Sequence, residues 1–204
     1  MNAPVQRPLL LVVSAPSGAG KTTLGARLLE AFPGMVRSVS CTTRAPRPGE
    51  VSGRDYVFMD AGEFQRRIAA GYFLEHARVH GASYGTPREP VAQALRSGRD
   101  VLLIIDVQGA KRIRQLLADP AAGDLRRALV DVFIVPPDMA TLRQRLTGRG
   151  HDSPADIERR LENAADEMAD AALYRYRVVN DRLEDAVARL RSIVLAEKNV
   201  ARVT

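Results

Sequence analysis

The plainest chemistry in this 204-residue chain lies in one short run near its start, Ala15-Pro16-Ser17-Gly18-Ala19-Gly20-Lys21-Thr22. Glycines at 18 and 20 permit a tight turn whose backbone N–H groups can surround an anion. A lysine and a hydroxyl directly after the second glycine complete a phosphate-binding loop, or P-loop. Lys21 then reaches the β- and γ-oxygens of a nucleoside triphosphate, and the Thr22 hydroxyl coordinates Mg2+. The strict pattern has glycine where Ala15 stands, a small departure that a negative φ would tolerate. Asp106 is the second candidate. It ends an apolar run, the place where proteins with such a loop keep an acid near the metal, although a carboxylate there equally serves as a cap or turn residue.

The elements that must hold these groups can be read from hydrophobic periodicity. Leu9 to Val13, Val101 to Ile105 and Val132 to Val135 are short unbroken apolar runs, the mark of parallel strands covered on both faces. Helical patterns lie between them: Thr22 to Phe32 with Leu24, Leu28 and Leu29 on one face, Glu89 to Arg96, and Gly109 to Leu117. A fourth run, Val178-Val179-Asn180, precedes a helix over Asp181 to Glu197 with Asp181 as its expected N-cap. Strand and helix alternation predicts an α/β fold, and the first strand, loop and helix are the context that a P-loop requires.

Two regions interrupt the alternation. Val36 to Thr86 contains short alternating stretches such as Tyr56-Val57-Phe58, with turns at Pro46, Pro48, Gly49 and Gly53, and predicts a small antiparallel or mixed sheet. Ala140 to Ala171 reads as a charged helical hairpin broken at Gly148 and Gly150. Ser153, Pro154 and Asp156 supply an N-cap, a proline at the first position and a capping box for its second helix.

Several motifs in order carry a resemblance. Ser38-Val39-Ser40-Cys41-Thr42-Thr43-Arg44-Ala45-Pro46-Arg47-Pro48-Gly49-Glu50 continues to Gly53-Arg54-Asp55-Tyr56. Then come Phe73-Leu74-Glu75, Tyr84-Gly85-Thr86, Asp106-Val107-Gln108-Gly109, Arg145 to Gly150 and Val178 to Asp181. Together they resemble the guanylate kinase family over nearly the whole chain, from about Leu9 to the C-terminal helix. The resemblance implies an α/β fold with a P-loop NTPase core, a parallel sheet flanked by helices, a small β-containing GMP-binding region and a helical lid. It divides the chain into a core of residues 8–35, 87–139 and 172–204, a GMP-binding region of 36–86 and a lid of 140–171. The implied reaction converts ATP and GMP to ADP and GDP with Mg2+.

Through the resemblance, individual residues acquire roles. Arg44 and Arg47, three apart in a proline-stiffened segment, hold the GMP phosphate, for which forked guanidinium groups are suited. Tyr56 and Tyr84 add hydroxyl donors. Ser40, Glu75 and Thr86 read guanine, whose N1–H and N2 amino donors match an ionised carboxylate. Without the family, Glu75 would read as a surface acid. Arg145 and Arg149, four apart on one helix face, and Arg160 on the next helix swing onto the ATP phosphates as the lid closes and excludes water. Read alone, they would form ion pairs with Glu158, Glu162 or Asp166. Asn180 takes a place near the adenine, and Asp106 serves either the metal or the guanine side. His151, where the family more often has a small polar residue, receives no role.

Composition bounds the rest. Thirty Lys plus Arg against 24 Asp plus Glu give a net charge of +6 and favour polyanionic partners, here nucleotides. Lysine occurs only at 21, 111 and 198, so the positive charge is almost wholly arginine. A nucleic-acid-binding protein finds no module to support it. A protein kinase lacks both its glycine-loop spacing and its catalytic-loop motif. A kinase of a phosphorylated sugar would lack the guanine readers, and a non-catalytic guanylate-kinase-like protein-binding module can lose the P-loop lysine, which this chain keeps. A lone Cys41 excludes an intrachain disulfide framework, and no run approaches the roughly 20 apolar residues of a membrane span. A cytoplasmic enzyme without membrane or nucleic-acid partners is expected.

Overall fold

A computed structural model describes residues 7–79, 81–148 and 153–199. Arg149, Gly150 and His151 therefore lie outside the described residues. From its start the chain runs through β1 (Leu10–Ser14), α1 (Lys21–Ala31), β2 (Val36–Arg37), β3 (Cys41–Thr42), β4 (Val57–Phe58) and α2 (Ala61–Ala69). It continues through β5 (Phe73–Val79), β6 (Ala82–Pro87), α3 (Arg88–Arg96), β7 (Val101–Ile104), α4 (Val107–Ala118) and α5 (Gly123–Ala128). β8 (Leu129–Val135), α6 (Met139–Thr147), α7 (Pro154–Ala169), β9 (Tyr176–Val179) and α8 (Leu183–Asn199) complete it.

Five strands form a parallel sheet in the order β2-β7-β1-β8-β9. β1 explains why its sequence shows no polar alternation. Side chains of a strand alternate between faces, and here both faces are covered. Leu11 and Val13 join a core with Leu24 and Leu28 of α1 and Leu190 and Val194 of α8, while Leu10 and Val12 join another with Val91, Ile113 and Leu117. Full burial of each such side chain contributes about 1.5–3 kcal/mol, and two cores share this one strand. Because all five strands are parallel, their carboxyl ends share one edge of the sheet. In open α/β sheets that edge is where ligands bind. β1 ends there in the P-loop, β7 in Asp106 and β9 in Asn180.

The second sheet, in the order β4-β3-β6-β5, is mixed: β3 and β4 are parallel, and the other pairs are antiparallel. Val36 and Arg37 do not belong to it. They form β2 at the edge of the core sheet, paired with Val101 and Leu102. In the segment that the resemblance implies is a lid, α6 and α7 pack through Leu142, Leu146, Ile157, Leu161 and Ala164. The Ser153 hydroxyl accepts from the Asp156 N–H at 3.2 Å and bonds its carboxylate at 2.8 Å, with Pro154 in the first turn, as the local sequence requires.

The start of α8 departs from expectation, since the helix begins at Leu183, two residues beyond Asp181. The reason is tertiary. The Asn180 N–H is bound to Val135 O at 2.8 Å and its amide to Ala19 O at 2.8 Å, while the Asp181 carbonyl accepts from Arg145. The chain is free to turn into a helix only beyond these anchors.

Candidate active site

The P-loop bridges β1 and α1. Gly18 and Gly20 have φ of +92° and +96°, a region that side chains disfavour, and close neighbours exclude a Cβ as well. A methyl group on Gly18 would lie 2.9 Å from Leu146 of the lid, and one on Gly20 would collide with the Asn180 amide. Ala15 raises no such conflict: its methyl is buried in the core beside Val13 and Ala19, which accounts for alanine in the position of the usual glycine. Lys21 donates to the carbonyls of Ala15 and of Pro16, so its ammonium lies over the loop. Thr22 is exposed in the first turn of α1.

Asn180 has a structural task in addition to the adenine contact that the resemblance implies. It is only 6% exposed, and its side-chain amide is spent on the Ala19 carbonyl beneath the loop. It is a strut for the P-loop, made possible by the absence of a side chain on Gly20. Arg145 Nη2 donates to the carbonyls of Asn180 at 3.0 Å and Asp181 at 3.3 Å, while its Nη1 is buried without a partner. Arg160 Nη1 donates to Ser17 Oγ at 2.9 Å. Two lid arginines are thus attached to the P-loop and its strut, while Glu158 pairs with Arg143.

Across the strand ends lies a cavity of about 170 Å3 lined by Ser40, Tyr56, Glu75, Tyr84, Ile105 and Asp106 among others. Glu75, from β5, is 5% exposed and accepts from the Thr86 hydroxyl of β6 at 2.6 Å. Burial, reinforced by the nearby Asp106 carboxylate, pushes the Glu75 pKa up to about 7 against the Thr86 hydrogen bond. Burial also raises Asp106, opposed by the Gly109 N–H and by Lys21. Asp106 does cap α4, accepting from Gly109 N at 2.8 Å, yet it also faces the cavity. The cap reading from sequence therefore holds, in a residue that also lines the cavity. A larger cleft, of about 600 Å3, lies among Pro8, Leu95, Leu116, Leu125 and Ala128, beside the amino ends of the strands. It contains none of the motif residues.

Gly109 ties the carboxylates together, a role that the motif alone did not disclose. A Cβ there would stand 2.7 Å from Glu75 Oε2 and 3.1 Å from Asp106 Oδ1. Gly109→Ala is expected to gain up to about 1 kcal/mol of helix propensity while displacing Glu75. Melting temperature should change little as the KM for the acceptor nucleotide rises at least about tenfold, the consequence of a misplaced hydrogen-bond acceptor. An unchanged KM would show that Glu75 accommodates the methyl without leaving its place.

The arginine pair is built unevenly. Arg44 makes a bidentate pair with Glu50 at 2.9 and 3.0 Å, which holds the Glu50 carboxyl below its ordinary range. Its guanidinium carbon lies 5.5 Å from the Tyr56 ring, and its buried Nε has no partner. Tyr56 packs edge-on to Tyr84 with ring centres 5.9 Å apart. Arg47 is exposed, and its backbone N–H donates to Glu50. Glu50, quoted in the motif without a role, thus organises both arginines.

The guanylate kinase family model matches residues 7–197. The chain is 48% identical to the guanylate kinase of Symbiobacterium thermophilum over 190 residues, 93% of this chain and 86% of that protein. It is 47% identical to that of Paramagnetospirillum magneticum over 193 residues, 95% of this chain and 86% of that one. The crystal structure of guanylate kinase from Anaplasma phagocytophilum superposes with a TM-score of 0.78 at 35% identity, covering 96% of this chain and 89% of that one. With a P-loop at the strand ends, a buried carboxylate in the adjoining cavity and this likeness over nearly its full length, the chain belongs to the guanylate kinase family, enzymes of the nucleoside monophosphate kinase class.

Proposed function

We propose that the guanylate kinase reaction, transfer of the γ-phosphoryl group of ATP to GMP, is divided among the residues just described. One observation carries the acceptor assignment: Glu75 is buried in a cavity beside the strand ends, with Thr86 on one oxygen and Gly109 leaving room at the other. Guanine N1–H and N2–H donate to this carboxylate and draw it toward its ionised form, whereas adenine presents an unprotonated N1 acceptor there. Ser40 and Asp106 complete the base site. The GMP phosphate lies toward Arg44, Arg47 and the hydroxyls of Tyr56 and Tyr84, and Arg44 Nε is the buried donor awaiting an acceptor.

The P-loop backbone from Ala15 to Gly20, Lys21 and Thr22 hold the ATP phosphates. Arg145 and Arg160 neutralise charge that develops on the transferred group, joined in the family pattern by Arg149. An acceptor phosphate oxygen is already anionic, so no general base is needed. Mg2+ suits the oxygen donors present. Among the described residues no cluster of three or more His, Cys, Asp or Glu side chains forms a metal cage. Mg2+ is ordinarily held by one or two protein oxygens together with phosphates and water. Thr22 would hold it directly with Asp106 alongside, and its chemistry is neutralisation of phosphate charge. No described helix is long and apolar enough to cross a membrane, and the buried thiol of Cys41 suits a reducing cytoplasm.

The test is a coupled ADP-release assay with ATP, Mg2+ and each of GMP, AMP, CMP and UMP. GMP is expected to be turned over with clear preference. Equal turnover of AMP would overturn the role given to Glu75.

A further inference from the structure

An acid stands where phosphate chemistry calls for positive groups. Glu167 lies on α7 seven residues after Arg160 and three after Ala164, so the three share one face of the helix. Two of them show where that face points. Arg160 is bonded to Ser17 Oγ at 2.9 Å, and Ala164 is fully buried in the lid core whose Leu142 and Leu146 press on Gly18. Glu167 continues the same line along the P-loop. Its half-buried carboxylate faces the Ser17 backbone N–H and the Lys21 ammonium, with the carboxylates of Asp106 and Asp170 as like-charged neighbours. Asp170 is itself paired with Lys111 at 2.8 Å.

A carboxylate that faces a P-loop N–H and the P-loop lysine makes the contacts that a phosphate oxygen makes in such a loop. We propose that Glu167 is a positioning residue that stands in for a phosphoryl group: it holds the P-loop in its anion-binding form until the triphosphate arrives and then gives way, so that α7 responds to nucleotide binding in the loop. The proposal rests on the P-loop being the ATP site. Its consequence is a charge conflict in the nucleotide complex, because Glu167 and the terminal phosphate compete for the same donors.

Glu167→Gln keeps the shape and removes the charge. Measured by calorimetry on the full chain without GMP, E167Q is expected to bind ATP about three- to tenfold more tightly than wild type, an effect of the size that one partly solvated neighbouring charge exerts. The gain should be smaller for ADP, which lacks the terminal phosphate, and absent for GMP. Glu162→Gln, which removes an exposed charge from the same helix, should leave ATP affinity unchanged. ATP binding to E167Q equal to or weaker than wild type would overturn the proposal and leave the P-loop reading standing. The same gain in E162Q, or equal gains for ATP and GMP, would overturn it as a general charge effect. Failure of wild type itself to bind ATP would remove the P-loop reading and the proposal with it.

Discussion

Lys21→Ala is expected to lower turnover by on the order of 10³-fold or more while leaving the fold intact. In the proposed reaction the ammonium is a preplaced positive charge for the β- and γ-phosphate oxygens, and its electrostatic contribution would grow as a closing lid excludes water. The ammonium donates to the carbonyls of Ala15 and Pro16 in its own loop. Neither hydrophobic core includes it, and each such bond contributes only about 0.5–1.5 kcal/mol net. Circular dichroism should therefore report a folded protein in the same preparation that the ADP-release assay reports as nearly inactive. Near-normal turnover would mean that the loop does not hold the reacting phosphates.

Glu75→Gln should produce the other large effect, and it should do so in opposite directions on activity and stability. An amide that places an NH2 against a guanine donor leaves buried polar groups unpaired, and sites built on hydrogen bonds discriminate by as much as about 10⁴-fold. A fall of about 10²-fold or more in kcat/KM for GMP is expected. Stability follows the carboxyl's pKa, which lies near 7 in the folded chain against an ordinary 4.5. Between these values the folded state holds a proton that the unfolded chain has released, so stability declines as pH rises through the window, by roughly 3 kcal/mol in all. E75Q lacks this loss. Its melting temperature relative to wild type should therefore be higher at pH 8 than at pH 5, and a difference independent of pH would contradict the buried, strained carboxylate. Wild-type KM for GMP should rise as pH falls below about 7, because the protonated carboxyl can no longer accept from both guanine donors.

Much of this enzyme is legible in its residues because the relevant physics is local. Leu9 to Val13 had to be a strand covered on both faces, and the structure places a strand at Leu10–Ser14 between two cores. Ser153-Pro154-Ala155-Asp156 contains the whole of its own cap. Glycines 18 and 20 before Lys21-Thr22 specify a loop geometry over a few residues. Where elements were misjudged, distant partners overruled the local pattern. The apolar run Val132 to Val135 predicts a strand, and β8 extends it back through Asp131 to Leu129. The Asp131 carboxylate is paired with Arg114 at 3.0 Å and accepts from Arg175 N at 3.0 Å. β2 has two residues, too few for any period to show, and exists because Val101 and Leu102 offer an open edge.

The site divides along the same line. Its phosphate-binding half could be argued from the residue types of one continuous segment, whereas Glu75 as a guanine reader came from family resemblance alone, since an isolated glutamate resembles any surface acid. Only the packing of β5 against α4 buries it, raises its pKa and brings it against Gly109. Packing likewise turns Asn180 into a strut beneath the loop, gives Arg44 to Glu50 and sets Glu167 beside Lys21. The sequence determined each segment's period, caps and turn chemistry, which depend on neighbours a few residues away. The tertiary structure decided which charged groups lose their water and which meet, because desolvation and Coulomb interaction depend on distances between segments that no local pattern encodes.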